Sequence, residues 1–218
     1  ADYNVAIGEL AMGTGTLSNA TYNVAVGYSA LTDVTSGDYN VVIGGAAASN
    51  LVGGSDNVAI GTNALFDAVS ITKTVAIGTQ ALEDINDDAN DGSVAIGYLA
   101  GSKKAGSGSQ YTKASVHIGY SSGAAQTSGA NNTSVGHATM GGNVSGTALT
   151  GSDNTVMGYS AGYAMSGAGA SNVYIGSNAA NSITSGTNNV VIGDLALSTA
   201  DGAESNNVAI GKSAMLSL

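Results

Sequence analysis

The chain repeats one short pattern of polar and apolar positions from end to end. Each copy begins with Asn, Ser or Thr, continues with Val in most copies, a variable residue and an Ile-like residue, and ends with Gly, as in residues 4–8. The apolar positions alternate, the residues are β-branched, and Gly interrupts every copy, so the pattern predicts a short β-strand rather than a helix. Twelve copies recur at intervals of 17 to 22 residues and end at the motif glycines Gly8, Gly27, Gly44, Gly61, Gly78, Gly97, Gly119, Gly136, Gly158, Gly176, Gly193 and Gly211.

The remainder of each repeat is also patterned. Ala stands three residues after the motif glycine in ten copies, and the next position is often large and apolar, as in Met12 and Leu31. We predict a turn at the glycine, a second, shorter strand around the Ala, and a polar return of variable length. Such a period predicts an all-β fold, a parallel β-solenoid of about twelve coils. The repeats fill residues 1–218, which we interpret as a single repetitive domain.

The positions of the strand have separate expected roles. The first and third residues, such as Val58 and Ile60, are predicted to point inward, and the middle residue, such as Ala59, outward. The middle residue is nevertheless apolar in all copies except those with His117 and Ser134. Because both faces are apolar, we expect further copies of the chain to cover the outer one. The alternative is that small Ala side chains are tolerated on an exposed face.

Two recurring residues have expected structural roles. The motif glycines fit either a turn that requires a positive φ or a place where another backbone approaches too closely for a Cβ atom. Asn opens nine of the twelve motifs. We expect these amides to form hydrogen bonds from coil to coil or to cap the turn before the strand.

Composition and charge exclude several classes. The chain has 33 Gly, no Pro and no Cys, so it has no disulfide framework and no thiolate metal site. Its formal net charge of −10 disfavours nucleic-acid binding. No apolar run approaches the ~18 residues of a membrane span, so membrane insertion is not expected. The first residues resemble no secretion signal and include no initiator Met, which suggests a processed form or an excerpt.

The sequence contains few residues of the types that commonly act in catalysis, and we predict no catalytic residues, no cofactor and no enzymatic activity. His117 and His137 are 20 residues apart, so they could stack in adjacent coils. No carboxylate is assigned to them, and packing at a surface or an interface is the favoured interpretation. Motifs of the common hydrolases and nucleotide-binding proteins are absent from the sequence.

One acidic return suggests a metal site. The spacing of Asp84, Asn86 and Asp88 suits oxygen ligands of Ca²⁺, and Asp91 could add another. The sixth and twelfth positions lack the Gly and Glu of a complete EF-hand loop. The alternative to a Ca²⁺ site is a solvated acidic loop.

Four tyrosines directly follow a motif glycine. Amphipathic rings in this position suit contacts with a glycan or protein receptor on a host surface. The alternative is that they pack at a turn or between subunits. These residues are Tyr28, Tyr98, Tyr120 and Tyr159.

The motif carries a family resemblance along the whole chain. The sequence Asn-Val-Ala-Ile-Gly-x-x-Ala occurs at residues 4–11, 57–64 and 207–214, and a close variant occupies residues 23–31. It resembles the head repeats of trimeric autotransporter adhesins of the YadA type and, equally, the tandem repeats of bacteriophage tail-fibre proteins. The resemblance implies a left-handed parallel β-roll wound as a homotrimer. The repeats here are longer than those of the adhesins and in this respect look more like the phage-fibre variety.

These expectations combine into one functional hypothesis. We expect a non-enzymatic, extracellular structural fibre protein, the trimeric shaft or head of a phage tail fibre or of a bacterial surface adhesin. The alternative is a subunit of an extracellular filament that stacks end to end, because motifs lie close to both ends and bare solenoid ends expose unpaired strands. An ice-binding array is not indicated, because Thr forms no coil-to-coil ladder in the sequence.

Overall fold

A computed structural model describes residues 3–14, 16–85, 91–102, 114–141, 148–199 and 202–216. Each of the twelve motifs forms a strand of three residues. The strands are β1 (Val5–Ile7), β2 (Val24–Val26), β3 (Val41–Ile43), β4 (Val58–Ile60), β5 (Val75–Ile77), β6 (Val94–Ile96), β7 (Val116–Ile118), β8 (Thr133–Val135), β9 (Thr155–Met157), β10 (Val173–Ile175), β11 (Val190–Ile192) and β12 (Val208–Ile210).

The twelve strands form one parallel sheet in sequence order, which confirms the predicted β-solenoid. We number the coils 1 to 12 after their strands. Equivalent motif residues face one another, as in the pair Val58 and Val75. The register is kept even across the long repeat between β6 and β7, where Val94 pairs with Val116. Differences in repeat length are therefore absorbed in the returns, and the motif positions form continuous columns along the rod.

The segment after the motif glycine is not the second strand that the sequence predicted. It is a series of turns in which alternate residues have a positive φ, such as 52° at both Ser29 and Leu31. The amide of Ser29 donates to the Glu9 carbonyl of the preceding coil at 2.9 Å, and that of Leu31 donates to the Ala47 carbonyl of the following coil at 3.0 Å. Stacked turns therefore continue the coil-to-coil bonding while they bend the chain more tightly than a strand allows.

The predicted assignment of the two strand faces is wrong. In β2 to β12 the middle residue is buried, whereas the first and third residues are half-buried or exposed. In β4, for example, Ala59 is buried and Val58 and Ile60 face outward. A period of two places neighbouring side chains on opposite faces, but it does not say which face lies inside the coil.

The narrow interior explains which face is inside. The middle residue shares this interior with the residue four positions after the motif glycine, and the two vary in opposite directions in most coils. Small middle residues such as Ala25 and Ala59 accompany Leu31 and Leu65. Large middle residues accompany small ones in the pairs Val42 with Ala48, His117 with Gly123, Val156 with Gly162, and Tyr174 with Ala180.

The described residues include no helix that has the length and apolar character required to cross a membrane.

Candidate functional site

The motif glycines form a ladder along the rod, and both of their expected roles are confirmed. Gly44 has a φ of 140°. A Cβ atom on Gly44 would lie 2.5 Å from the carbonyl oxygen of Gly61 in the next coil. The same close approach recurs at every motif glycine except Gly211, which belongs to coil 12. The backbone itself therefore occupies the space that a side chain would need.

The asparagine ladder is also confirmed. At Asn172, the backbone N–H and the side-chain Nδ2 both donate to Oδ1 of Asn154, at 3.1 and 3.0 Å. The same Nδ2 donates to the Gly186 carbonyl at 2.8 Å. Its Oδ1 accepts from the backbone N–H and Nδ2 of Asn189, at 3.0 and 3.1 Å. Asn23, Asn40, Asn154 and Asn189 make the same set of bonds, and these contacts between neighbouring amides help to fix the register of the coils.

A second glycine column was missed by the sequence reasoning. Gly54 accepts from Asn40 Nδ2 at 2.8 Å, and a Cβ atom on Gly54 would collide with the Ile71 carbonyl of the next coil. The available signal was a Gly three residues before the motif Asn. This spacing occurs in the pairs Gly37 and Asn40, Gly54 and Asn57, Gly129 and Asn132, Gly151 and Asn154, Gly169 and Asn172, and Gly186 and Asn189.

A cluster of polar side chains interrupts the apolar interior at coils 7 and 8. Nδ1 of His117 lies 2.8 Å from Ser134 Oγ. Ser122 Oγ lies 2.6 Å from Ser134 Oγ and 2.8 Å from Thr139 Oγ1. A hydroxyl beside an imidazole is the arrangement of an activated nucleophile. Here, however, all four side chains are buried, so we assign the cluster a packing role.

The two histidines are not stacked neighbours, although their spacing in the sequence allowed that arrangement. His117 is inside the coil, whereas His137 is exposed on the outer surface. Burial lowers the pKa of His117 to about 4. The imidazole is therefore neutral at pH 7 and accepts or donates hydrogen bonds without a buried charge.

Acid is expected to destabilise the chain through His117. Between pH 6.5 and about 4 the unfolded imidazole binds a proton and the folded one does not, so the free energy of unfolding falls as the pH falls. Over this whole pH range, His117 lowers the free energy of unfolding by about 3 kcal/mol. It can be measured as the slope of unfolding free energy against pH in the unmodified chain and in His117→Asn, which keeps a hydrogen-bonding side chain without this titration.

The control for the acid prediction is His137→Asn, which removes an exposed imidazole. We expect His137→Asn to keep the pH slope of the unmodified chain, whereas His117→Asn has a shallower slope between pH 6.5 and 4. Equal slopes in all three proteins would show that the buried imidazole does not control the acid response.

The predicted calcium ligands are only partly within the described residues. Asn86 and Asp88 lie outside them. Asp91 Oδ1 accepts a hydrogen bond from the Thr72 amide at 2.6 Å, and Asp84 is half-buried. The described ranges contain no group of three or more His, Cys, Asp or Glu that could hold a metal ion. The calcium site therefore stays a prediction.

An apolar surface runs the length of the rod. We call it the outer strand face and define it as the first and third residues of β1 to β12. Only Thr133 and Thr155 on it are polar, and the others are Val, Ile or Met. Side chains remain accessible even in the middle of the sheet, with Ile96 37% and Met157 40% exposed. The columns are in register, so this is one continuous apolar strip.

Three of the four predicted tyrosines come together on the surface. Tyr98, Tyr120, His137 and Tyr159 occupy the same column and form a stack with ring-centroid distances of 5.3, 4.8 and 5.2 Å. Tyr28 occupies the same column in coil 2 and joins no ring pair among the described residues.

A second stack was missed. Tyr3, Tyr22 and Tyr39 lie 4.9 and 5.0 Å apart in sequence order. Each immediately precedes a motif Asn, which was the available signal. Both stacks arise because the solenoid places equivalent residues of successive coils one above the other.

A groove of about 460 Å³ lies beside the first stack. Its lining residues fall into three columns of the solenoid. The three columns consist of residues one, two and five positions after the motif glycines. The aromatic rings of the first stack belong to the first column. The lining consists of Tyr120, His137 and Tyr159, then Ala138, Ser160 and Asn178, then Tyr163 and Asn181.

Comparison with known proteins does not assign the chain to a family: no family model, no curated protein sequence and no solved structure matches it. The resemblance to adhesin and tail-fibre repeats stays a prediction that the motif alone carries.

Proposed function

We propose that the chain is a non-enzymatic structural protein of an extracellular fibre, the homotrimeric shaft or head of a phage tail fibre or bacterial surface adhesin. The observation that carries the proposal is the outer strand face. It is apolar, continuous over twelve coils and accessible in the single chain. Monomeric soluble proteins rarely expose contiguous apolar patches of this kind, which usually mark interaction surfaces.

The energy available from this face supports association. Full burial of a Val or Ile side chain that is about one-third exposed contributes roughly 0.5–1 kcal/mol. Summed over the apolar side chains of the face, the gain is on the order of 10–20 kcal/mol, which reaches the ~4–15 kcal/mol cost of association. Copies of the same chain are the natural partners, because their columns share one spacing and match along the rod.

Closed symmetry and the resemblance favour three copies. Three rods that turn their outer strand faces toward a common axis bury all three faces and leave no apolar strip for further growth. The adhesin and tail-fibre repeats that the motif resembles imply this trimer and left-handed coils. The glycine and asparagine ladders then make each rod a stiff spacer, because every coil is hydrogen-bonded to the next.

A charge placed on the outer strand face is expected to dissociate the assembly. In a trimer, Ile60→Asp would bring three carboxylates close to the common axis without water to solvate them. Ile60 is already partly exposed in the single chain, so the rod itself should remain folded. We expect light scattering after size exclusion to give the mass of one chain for this variant.

The matched control is Val69→Asp, which makes a similar change in a return. Val69 is 42% exposed and lies outside the strands. We expect this variant to keep the oligomeric mass of the unmodified chain. If Ile60→Asp also keeps that mass while circular dichroism shows native structure, the outer strand face is not the interface.

A further inference from the structure

We propose that the groove beside the Tyr98–Tyr159 stack binds a neutral oligosaccharide. We call it the stack groove and define it by the lining residues given above. This binding activity goes beyond the proposed scaffold role. The proposal that the groove contacts a surface glycan rests on the proposed fibre function. The proposal that it binds a neutral saccharide does not.

The aromatic side of the groove ends in a ring with an open face. Tyr159 is 58% exposed and has His137 stacked against one face at 5.2 Å. The next coil carries Ser177 in the same column, so no aromatic ring of the described chain covers the other face. Tyr163 is also exposed and lines the same groove. Open rings of this type pack against the apolar C–H faces of pyranose sugars, because they combine an apolar face with a polar edge.

Polar groups for sugar hydroxyls lie beside these rings. Asn181 Nδ2 donates to the Ser160 carbonyl at 3.0 Å, and Asn178 Nδ2 donates to Ser177 Oγ at 3.1 Å. These bonds orient both amides at the groove, and the amide oxygens and the tyrosine hydroxyls supply further hydrogen-bonding capacity. A few oriented polar groups among aromatic surfaces are typical of a small-ligand site.

Charge selects among saccharides. The groove lining contains no Asp, Glu, Lys or Arg. The whole chain carries a formal charge of −10, which repels acidic polysaccharides and nucleic acids. A neutral ligand is therefore favoured over a uronate, a sialylated glycan or a polynucleotide.

The spacing of the coils suits a chain of sugars. Neighbouring parallel strands are about 4.8 Å apart, so the columns that line the groove repeat at that interval. One hexopyranose unit of an extended glycan has a similar length, so successive units would meet equivalent positions of successive coils. The same three columns, with one more, form a smaller groove of about 260 Å³ at coils 2 to 4, but its aromatic lining is limited to Tyr28 and Phe66 and it includes the charged Asp33. The stack groove is thus the better saccharide site.

The test starts with the intact protein on a printed array of neutral and acidic glycans. Isothermal titration then uses the neutral oligosaccharide that the array retains most strongly. We expect Tyr159→Ala and Asn181→Ala each to weaken binding about tenfold, the loss expected for one ring stack or hydrogen bond. The control is Tyr98→Ala, which removes a ring of the same stack that does not line the groove. We expect its affinity to stay within twofold of the unmodified chain.

The saccharide proposal is overturned if the array retains no neutral glycan, if it retains acidic glycans more strongly, or if Tyr98→Ala and Tyr159→Ala lose equal affinity. If Tyr159→Ala dissociates the oligomer, the groove is an interface between copies, and the proposal also fails. Light scattering on the same samples gives the oligomeric mass, which tests the fibre proposal independently of glycan binding. A trimer that binds no glycan refutes only the saccharide site, and a monomer that binds one refutes only the fibre.

Discussion

Gly44→Ala is expected to lower the stability of the chain by at least about 4 kcal/mol, at the extreme end of single substitutions. The new Cβ atom would lie 2.5 Å from the carbonyl oxygen of Gly61 and 2.6 Å from its carbonyl carbon. Both atoms belong to the backbone of the next coil, which cannot move without breaking its own coil-to-coil hydrogen bonds. The φ of 140° adds conformational strain for any residue with a Cβ atom. Thermal unfolding followed by circular dichroism measures the effect.

The neighbouring residue supplies the control. A Cβ atom on Gly45 would meet no atom within 4 Å. We therefore expect Gly45→Ala to change stability by no more than about 0.5 kcal/mol, as for ordinary surface substitutions. Similar melting temperatures for the two variants would contradict the close approach of successive coils at the motif glycines.

Asn172→Ala is the second substitution with a large expected effect, a loss of about 3 kcal/mol or more. The amide is buried and connects three coils, because it bonds to Asn154, Gly186 and Asn189. Its removal leaves the Asn189 amide and the Gly186 carbonyl without these partners in an interior that water does not reach. Chemical denaturation of the purified variant gives the change in unfolding free energy.

Asn50→Ala is the matched control for the ladder. The Asn50 amide is partly exposed, and its Nδ2 donates a hydrogen bond of 3.2 Å to the Asp67 carboxylate. Water can replace that partner, so we expect a loss below about 1 kcal/mol. If Asn172→Ala costs no more than Asn50→Ala, the ladder does not hold the coils together.

The repeat was the part of the fold that sequence could predict most fully. A motif Gly such as Gly61 occurs in every coil and a motif Asn such as Asn57 in nine of the twelve, so their recurrence indicates the period, the strands and their order. Their roles also followed from residue chemistry, because Gly is the residue without a Cβ atom and an Asn amide both donates and accepts.

The orientation of the strands could not be predicted with the same reasoning. Alternation separates Ala59 from Val58 and Ile60, but only the volume of the coil decides that Ala59 lies inside. The inference of an apolar second face nevertheless holds, and the larger side chains are the ones left accessible. The inverse size relation between His117 and Gly123 was visible in the sequence and would have indicated that the middle residue shares the interior.

The turns after the motif glycines were missed because they oppose local preference. Leu31 adopts a positive φ, which residues with a Cβ atom usually avoid. Stacking against adjacent coils supplies the hydrogen bonds that hold this conformation, and a single repeat considered alone gives no sign of it.

The surface was predictable only in part for a related reason. Tyr98, Tyr120 and Tyr159 share one position of the repeat, so alignment of the repeats predicts their column. The same alignment places His137 in this column, because it follows Gly136 as Tyr120 follows Gly119. Its distance of 20 residues from His117 suggested instead that the two histidines are equivalent, which they are not. The groove depends on three columns at once and needs the folded coil.

The most direct test of the central claim is the mass of the unmodified chain in solution. Sedimentation equilibrium over a wide range of protein concentrations should give the mass of three chains, independent of concentration, because a closed trimer buries every outer strand face. A mass of one chain would contradict the claim that this face is an interface. A mass that grows steadily with concentration would contradict the closed trimer.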